Sequence, residues 1–170
     1  VMPGLIDCHT HLVFSGSRAG EFDLRVKGAT YLEILKAGGG IGATVRATKE
    51  ASFDELYDLG IQRLSHMMCR GVTTVEAKSG YGLSTDGERR LLEVIQALNR
   101  DHSLEIVPTF LGAHTIPPRY KENPEKYVEL VIQEMIPEVA DKNLAEFCDV
   151  FCEEGVFDVK TSRKILETAR

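Results

Sequence analysis

The sequence contains no tryptophan, no long apolar run and no cluster of basic residues. No stretch approaches the roughly 20 consecutive apolar residues that a membrane-spanning helix needs. Acidic and basic residues are interspersed, with 26 Asp and Glu against 20 Lys and Arg, and the net charge is −6. Without a basic stripe, a nucleic-acid partner is not expected. Hydrophobic residues make up 43% of the 170, as in a soluble domain with its own core.

Cysteine is also scarce, and no two cysteines form a C-x-x-C pair. The four are Cys8, Cys69, Cys148 and Cys152, and their spacing does not suggest a disulfide framework. Cys148 and Cys152 have zinc-compatible chemistry, but they share a predicted strand without nearby Cys or His partners. We therefore expect these two to be small buried hydrophobic residues, in a protein of the reducing cytoplasm.

The ends of the sequence suggest a segment of a longer protein. It begins at Val1 instead of an initiator Met, and no basic region or cleavage site of a signal peptide precedes its first strand-like run. It stops at Arg170, inside a helix-like pattern.

Strand-like and helix-like patterns alternate along the chain. Runs rich in apolar and β-branched residues predict strands at residues 5–12, 72–77, 104–111 and 147–152. Helical patterns with one apolar face follow in the intervening segments. Four βα units in sequence predict a parallel sheet with helices packed outside it. The spacing alone fits both an open doubly wound sheet and half of a barrel.

Several helix starts are marked by capping residues. Ser52 and Glu55 have the spacing of a capping box, and so do Thr85 and Glu88. In such a box the first residue caps the helix and the glutamate bonds back to it. Asp158 is expected to cap the terminal helix.

The strongest chemical signal is the Asp7-Cys8-His9-Thr10-His11 run. On a strand, side chains alternate between faces, so His9 and His11 are predicted to point the same way, about 7 Å apart. Two converging imidazoles can bind one metal ion through their ring nitrogens. The alternative is a strand with two structural histidines, because a lone H-x-H is weak evidence. The pair ends the first predicted strand, where a barrel places its active site, and this favours metal binding.

The run P-G-L-I-D-C-H-T-H at residues 3–11 resembles the first-strand signature of the amidohydrolase superfamily. Three further segments are similar to the imidazolonepropionase family within it. They are L-V-F-S-G-S-R at residues 12–18, K-S-G-Y-G-L at residues 78–83 and T-F-L-G-A-H-T-I-P-P at residues 109–118. The resemblance implies a (β/α)8 TIM barrel of amidohydrolase type. Residues 1–170 would hold about its first four βα units, the N-terminal half, without the β-sandwich domain that flanks the family's barrel.

The resemblance also implies a reaction. The family hydrolyses the cyclic amide of 4-imidazolone-5-propanoate to N-formimino-L-glutamate in histidine degradation, using water activated by one divalent metal, Zn or Fe. His9 and His11 match metal ligands of the family, and Arg18, Tyr81 and His114 match positions that contact the substrate. A cytoplasmic enzyme that is a homodimer at full length is implied, with no nucleic-acid or membrane partner.

The three substrate positions have suitable chemistry. The planar guanidinium of Arg18 can bind a carboxylate through two parallel hydrogen bonds, although alone it would be interpreted as a solvated surface residue. Tyr81 lies between two glycines that let the backbone turn sharply, and the alternative is a surface turn tyrosine. His114 follows the third strand and can donate to a ligand oxygen, or it is a structural loop histidine.

The rest of the family's site finds no match in residues 1–170. Two ligands leave the coordination of a metal incomplete, and the family's acid/base residues would lie beyond Arg170, so we expect the isolated segment to be inactive. Lys78 is interpreted as a structural or supporting residue, because the superfamily's metal-bridging lysine belongs to the fourth strand. Glu153 and Glu154 are kept as candidate neighbours of the site.

Two alternative functions stay open. The first is another cyclic amidohydrolase or an aminohydrolase, such as a deaminase, with the same H-x-H; the segments around Tyr81 and His114 argue against it. The second is a non-catalytic α/β module that keeps the strand without the chemistry.

Overall fold

The computed structural model describes residues 1–170, apart from the side chains of residues 31 and 35. The described residues form one parallel sheet of four strands, β1 (Leu5–Thr10), β2 (Val72–Lys78), β3 (Glu105–Ala113) and β4 (Phe147–Val150). The strands lie side by side in chain order. An open doubly wound sheet reverses its order at a switch point, whereas this curled, sequential sheet is compatible with half of a TIM barrel. The predicted α/β class is confirmed.

Helices occupy the segments between and after the strands. They are α1 (Ala19–Val26), α2 (Tyr31–Lys36), α3 (Ile41–Glu50), α4 (Phe53–Met68), α5 (Thr85–Asp101), α6 (Pro124–Leu130), α7 (Ile136–Asp141) and α8 (Val159–Ala169). A 3₁₀ turn covers Pro118–Tyr120, and a π-helical turn at Val131–Met135 joins α6 to α7. The wide turn accommodates Pro137, which has no backbone N–H to donate to the preceding turn.

The hydrophobic core lies between the sheet and the helices α4 and α5. Its fully buried members on these helices recur at helical spacing: Leu56, Leu64, Leu91, Leu92, Ile95 and Leu98. Val75 and Ile106 face them from β2 and β3. Because the helices pack outside the sheet, the carboxyl ends of the strands are held together at one rim, which is where the candidate site lies.

Two of the predicted helix caps are confirmed. At the start of α4, the Ser52 hydroxyl accepts from the Glu55 N–H at 3.1 Å, and the Glu55 carboxylate accepts from the Ser52 N–H at 2.8 Å. At α8, the Asp158 carboxylate accepts from the Thr161 N–H at 2.7 Å. Both helices therefore begin where the sequence places their caps.

The second predicted capping box is wrong. The helix α5 is capped by Ser84, whose hydroxyl accepts from the Gly87 N–H at 3.2 Å. The Glu88 carboxylate is fully buried and accepts from the N–H groups of Gly80 and Leu83 at 2.8 and 2.7 Å. The loop before α5 packs so tightly that its buried amides need an acceptor, and Glu88 supplies it.

Two strands are shorter than predicted. The strand β1 ends at Thr10 instead of residue 12, and its register against β2 shifts between Asp7 and Thr10. His11 therefore lies just past the strand, and Leu12 is buried in the core. The strand β4 ends at Val150, after which Cys152 forms only an isolated bridge to Phe157.

The expectation that Cys148 and Cys152 are both buried is wrong for Cys152. That residue is exposed because β4 ends before it, whereas Cys148 is half-buried on the strand. Burial raises the pKa of the Cys148 thiol to about 11. All four cysteines are free thiols. Among the described residues, no helix is both long and apolar enough to cross a membrane.

Candidate active site

Three aromatic rings meet where the first three strands end. His11 follows β1, Tyr81 lies after β2, and His114 follows β3. The His11 ring centroid lies 4.8 Å from that of Tyr81 and 4.6 Å from that of His114, and the Tyr81 and His114 centroids are 5.3 Å apart. Parallel strands present their carboxyl ends at one rim, so residues distant in sequence come together there.

The His11 imidazole is held in one orientation by the backbone. Its Nδ1 lies 3.1 Å from the carbonyl oxygen of Ser79, and because a carbonyl only accepts, Nδ1 carries the proton. Burial and the neighbouring His114 lower the pKa of His11 to about 4 despite this bond. The ring is therefore neutral at pH 7, with the Nε2 lone pair available, which is the form that binds a metal ion.

His9 lies beside His11 and is exposed. The two ring centroids are 6.1 Å apart, with their planes inclined by 66°. Two imidazole donors suit a borderline ion such as Zn or Fe. Among the described residues, no three His, Cys, Asp or Glu side chains are grouped closely enough to hold a metal ion.

His114 is held in the same way, one peptide further along the loop. Its Nδ1 lies 2.9 Å from the carbonyl oxygen of Gly80, so that nitrogen donates its proton there. Burial lowers the pKa of His114, although the bond to Gly80 raises it in part. In the neutral ring Nε2 is an acceptor, and donation to a ligand oxygen would require the ring to bind a second proton.

Tyr81 is presented by a glycine loop that leaves little room for other residues. Gly80 has a φ of +111°, a left-handed conformation that favours glycine. A Cβ atom at Gly82 would lie 2.2 Å from the carbonyl carbon of Gly87, so the loop rests directly on the start of α5. The two glycines flanking Tyr81 thus fix the loop geometry, as the sequence indicates.

Arg18 is the N-cap residue of α1, in the excursion after β1. Its Nη2 and Nε lie 2.8 and 2.9 Å from one Glu21 carboxylate oxygen. The side chain is 44% exposed. Burial raises the pKa of Tyr81, and the positive charge of Arg18 partly offsets this. Arg18 is thus close enough to the ring cluster for its charge to act there.

Comparison with known proteins shows which proteins this chain is similar to. No family model matches the chain. The chain is 56% identical over 168 residues to the imidazolonepropionase of Streptococcus gordonii (strain Challis). It is 57% identical over 168 residues to that of Streptococcus sanguinis (strain SK36), and 56% identical over 170 residues to that of Alkaliphilus metalliredigens (strain QYMF). This chain resembles the imidazolonepropionases along its whole length. It spans 40% of the length of each of these three relatives.

Lys78, at the end of β2, lies in a cluster of ion pairs. The Lys78 Nζ lies 2.7 Å from the Glu76 carboxylate and 2.9 Å from that of Asp149 on β4, and the Thr109 hydroxyl donates to Glu76 at 2.7 Å. Burial lowers the pKa of Lys78, but the two carboxylates outweigh this and the pKa is raised. This cluster ties β2, β3 and β4 together, consistent with the supporting role predicted for Lys78.

Glu88 lies near the site, and its structural role cannot be predicted from the sequence. It is buried beneath the Tyr81 loop, whereas Glu153 and Glu154, the carboxylates singled out from the sequence, are both exposed after β4. Its signal in the sequence is the capping-box spacing from Thr85, next to a glycine-rich loop. That signal is also typical of an ordinary helix start.

Proposed function

We propose that this chain is part of an enzyme that hydrolyses 4-imidazolone-5-propanoate to N-formimino-L-glutamate. The proposal rests on one observation above all: the chain is 54% to 57% identical to imidazolonepropionases over 99% or more of its length. The cluster of His11, Tyr81 and His114 at the strand ends supports it. In the reaction, water adds to the ring carbonyl carbon, the ring C–N bond breaks, and that carbon becomes a carboxylate of the product.

One divalent metal, Zn or Fe, would be held by His9 and His11. The neutral His11 ring, with Nδ1 on the Ser79 carbonyl and Nε2 available, has the chemistry of a metal ligand. Two ligands do not complete a coordination sphere, so the remaining ligands would come from outside residues 1–170. Bound there, the metal would lower the pKa of water and supply the nucleophile near neutral pH.

The other site residues would bind and orient the substrate. Arg18 would bind the propionate carboxylate through its guanidinium. The substrate would then replace Glu21 as the partner of some guanidinium N–H groups. The Tyr81 hydroxyl and ring would contact the imidazolone ring. The Nε2 of His114, an acceptor in the neutral ring, would meet a ring N–H. Because both ends of the substrate would be held, the ring carbonyl would be fixed in the orientation needed for attack by water.

The cellular setting is part of the same proposal. Four free thiols suit the reducing cytoplasm, and we place the enzyme there. We further propose that the full-length protein is a homodimer whose only partner in the reaction is its small-molecule substrate.

Product identification tests this function against its alternatives. The full-length metal-loaded protein is incubated with 4-imidazolone-5-propanoate and, separately, with other cyclic amides and aminopurines. Formation of N-formimino-L-glutamate supports the proposal. Ring opening of a different cyclic amide alone, or release of ammonia from an aminopurine, would favour a related amidohydrolase or a deaminase. No turnover of any substrate and no bound metal would favour a non-catalytic module.

A further inference from the structure

The buried carboxylate of Glu88 lies directly beneath the loop that connects β2 to α5, and it organises that loop. Its side chain is 0% exposed. One oxygen accepts from the Gly80 N–H at 2.8 Å and the other from the Leu83 N–H at 2.7 Å. The Ser79 hydroxyl and the Gly82 N–H also interact with it. A single side chain thus gathers polar groups from four positions of one short loop.

The loop needs this acceptor because its backbone is contorted and buried. Gly80 and Leu83 both have positive φ values, +111° and +50°, and Leu83 is a side-chain-bearing residue in a left-handed conformation that residues of its type rarely adopt. Both amides donate to the Glu88 carboxylate. A buried N–H without an acceptor is destabilising, so the Glu88 contacts favour this loop shape over others.

The peptide that joins Ser79 to Gly80 links Glu88 to His11. Its N–H donates to Glu88 at 2.8 Å, while its carbonyl accepts from His11 Nδ1 at 3.1 Å. The next carbonyl, that of Gly80, accepts from His114 Nδ1 at 2.9 Å. Since a peptide group is planar and rigid, fixing its N–H also fixes the direction of its carbonyl.

We propose that Glu88 is a positioning residue. Through the Ser79–Gly80 peptide it holds His11 in the form that carries its proton on Nδ1. Through the rest of the loop it positions Tyr81 and His114. The inference rests on the proposed function for its kinetic and metal-binding consequences only. The hydrogen bond from the Gly80 N–H to Glu88 polarises the Ser79–Gly80 peptide and makes the Ser79 carbonyl a stronger acceptor. In many metal sites a carboxylate bonds directly to the metal-binding histidine. Here one peptide group lies between the carboxylate and the histidine.

The test compares Glu88→Gln with Glu93→Gln in the full-length protein. The glutamine amide keeps the shape of the carboxylate but has one acceptor oxygen, and its NH₂ would face a loop N–H. Glu93 lies on the same helix and pairs with Arg89 at 2.8 Å on the partly exposed face, so its variant controls for loss of a carboxylate from α5. The measurements are KM and kcat, Zn²⁺ affinity, the ¹⁵N shifts of the histidine rings, and hydrogen exchange at the Gly80 and Leu83 amides.

Glu88→Gln is expected to raise KM and to weaken Zn²⁺ binding by roughly tenfold to a hundredfold. It should also populate the Nε2–H form of His11 and speed exchange at both loop amides, while Glu93→Gln matches the wild type. A purely structural role would lower the folded, active fraction and hence apparent kcat, and would leave KM, Zn²⁺ affinity and the ring shifts of the folded fraction unchanged. That result would overturn the inference.

One further variant and one control keep the outcome decisive. If Glu88→Gln does not fold, Glu88→Asp retains the carboxyl group on a shorter side chain. It should show intermediate exchange at Gly80 and Leu83, and wild-type exchange at both would count against the inference. If the wild-type protein shows no hydrolysis, the proposed function fails on its own. The ring shifts and amide exchange of the variants then still decide whether Glu88 positions His11.

Discussion

The His11 ring stacks on the His114 ring, with centroids 4.6 Å apart and planes inclined by only 15°. The two residues follow β1 and β3, so the contact reaches across the end of β2. Each ring donates its Nδ1 proton to a loop carbonyl, at Ser79 and at Gly80. Protonation of both rings is unfavourable in this stack, because each would carry a positive charge beside the other.

The stability of the metal-free full-length protein should therefore fall as the pH drops from about 6.5 to about 4. Burial and the neighbouring His114 lower the folded-state pKa of His11 to about 4, below the ordinary histidine value of 6.5. Between these values the unfolded chain binds the proton and the folded chain does not, so the free energy of unfolding decreases as pH falls. The full difference between these two pKa values corresponds to at most about 3.4 kcal/mol.

Urea titrations at stepped pH would measure this contribution. His11→Asn removes the titrating ring, so its loss of stability over this pH range should be smaller than that of the wild type. His66→Asn, a substitution of an exposed histidine on α4, is the matched control and should keep the wild-type slope. An identical slope in wild type and His11→Asn would show that His11 titrates normally in the folded state.

Arg18→Lys in the full-length enzyme should lower kcat/KM roughly tenfold to a hundredfold. An ammonium cannot reproduce the two parallel hydrogen bonds of a guanidinium, and a charged hydrogen bond is worth about 1.5–3 kcal/mol. Arg25→Lys, on the exposed face of the same helix, is the control and should leave steady-state kinetics unchanged. Equal kinetics for both variants would leave Arg18 as a surface residue paired with Glu21.

The sequence predicts the ring cluster well because its members lie next to strand ends. His11, Tyr81 and His114 each follow a run with strand character, and in a parallel sheet such positions converge at one rim. The Ser52 and Asp158 caps are predictable for a similar reason, since their hydrogen bonds join residues only three positions apart.

The features that the sequence does not predict depend on long-range packing. Glu88 has capping-box spacing from Thr85, but the tight approach of the Tyr81 loop turns its side chain inward and leaves the cap to Ser84. The Lys78–Asp149 ion pair joins residues 71 positions apart. The register shift that ends β1 at Thr10 is likewise set by its pairing with β2. No local pattern encodes these contacts.

The 170-residue chain by itself should self-associate and should lack hydrolase activity. Large apolar side chains are exposed on or next to the two outer strands: Leu5 at 50%, Ile6 at 69%, Phe147 at 60% and Phe151 at 47%. Unpaired strand edges beside such side chains recruit other chains. Activity should be absent because two metal ligands do not complete a catalytic site.

Sedimentation velocity on the purified chain tests the first part. Phe147→Lys should reduce association, whereas Phe22→Lys, at a 70% exposed position on α1 away from the sheet, should not. A compact monomer would mean that the sheet is a finished open α/β domain. A turnover assay with added Zn²⁺ tests the second part, and metal-dependent turnover would place the catalytic group within these residues, with Glu153 and Glu154 the first carboxylates to substitute.

The most direct test of the central claim is the rate of 4-imidazolone-5-propanoate hydrolysis by the full-length protein before and after metal removal. The proposed function predicts N-formimino-L-glutamate formation by the metal-loaded protein, loss of at least roughly a hundredfold in rate after chelation, and recovery on adding Zn²⁺ or Fe²⁺. The double variant His9→Ala, His11→Ala should remain inactive whichever metal is added. Undiminished hydrolysis by metal-free protein, or by the double variant, would contradict the account.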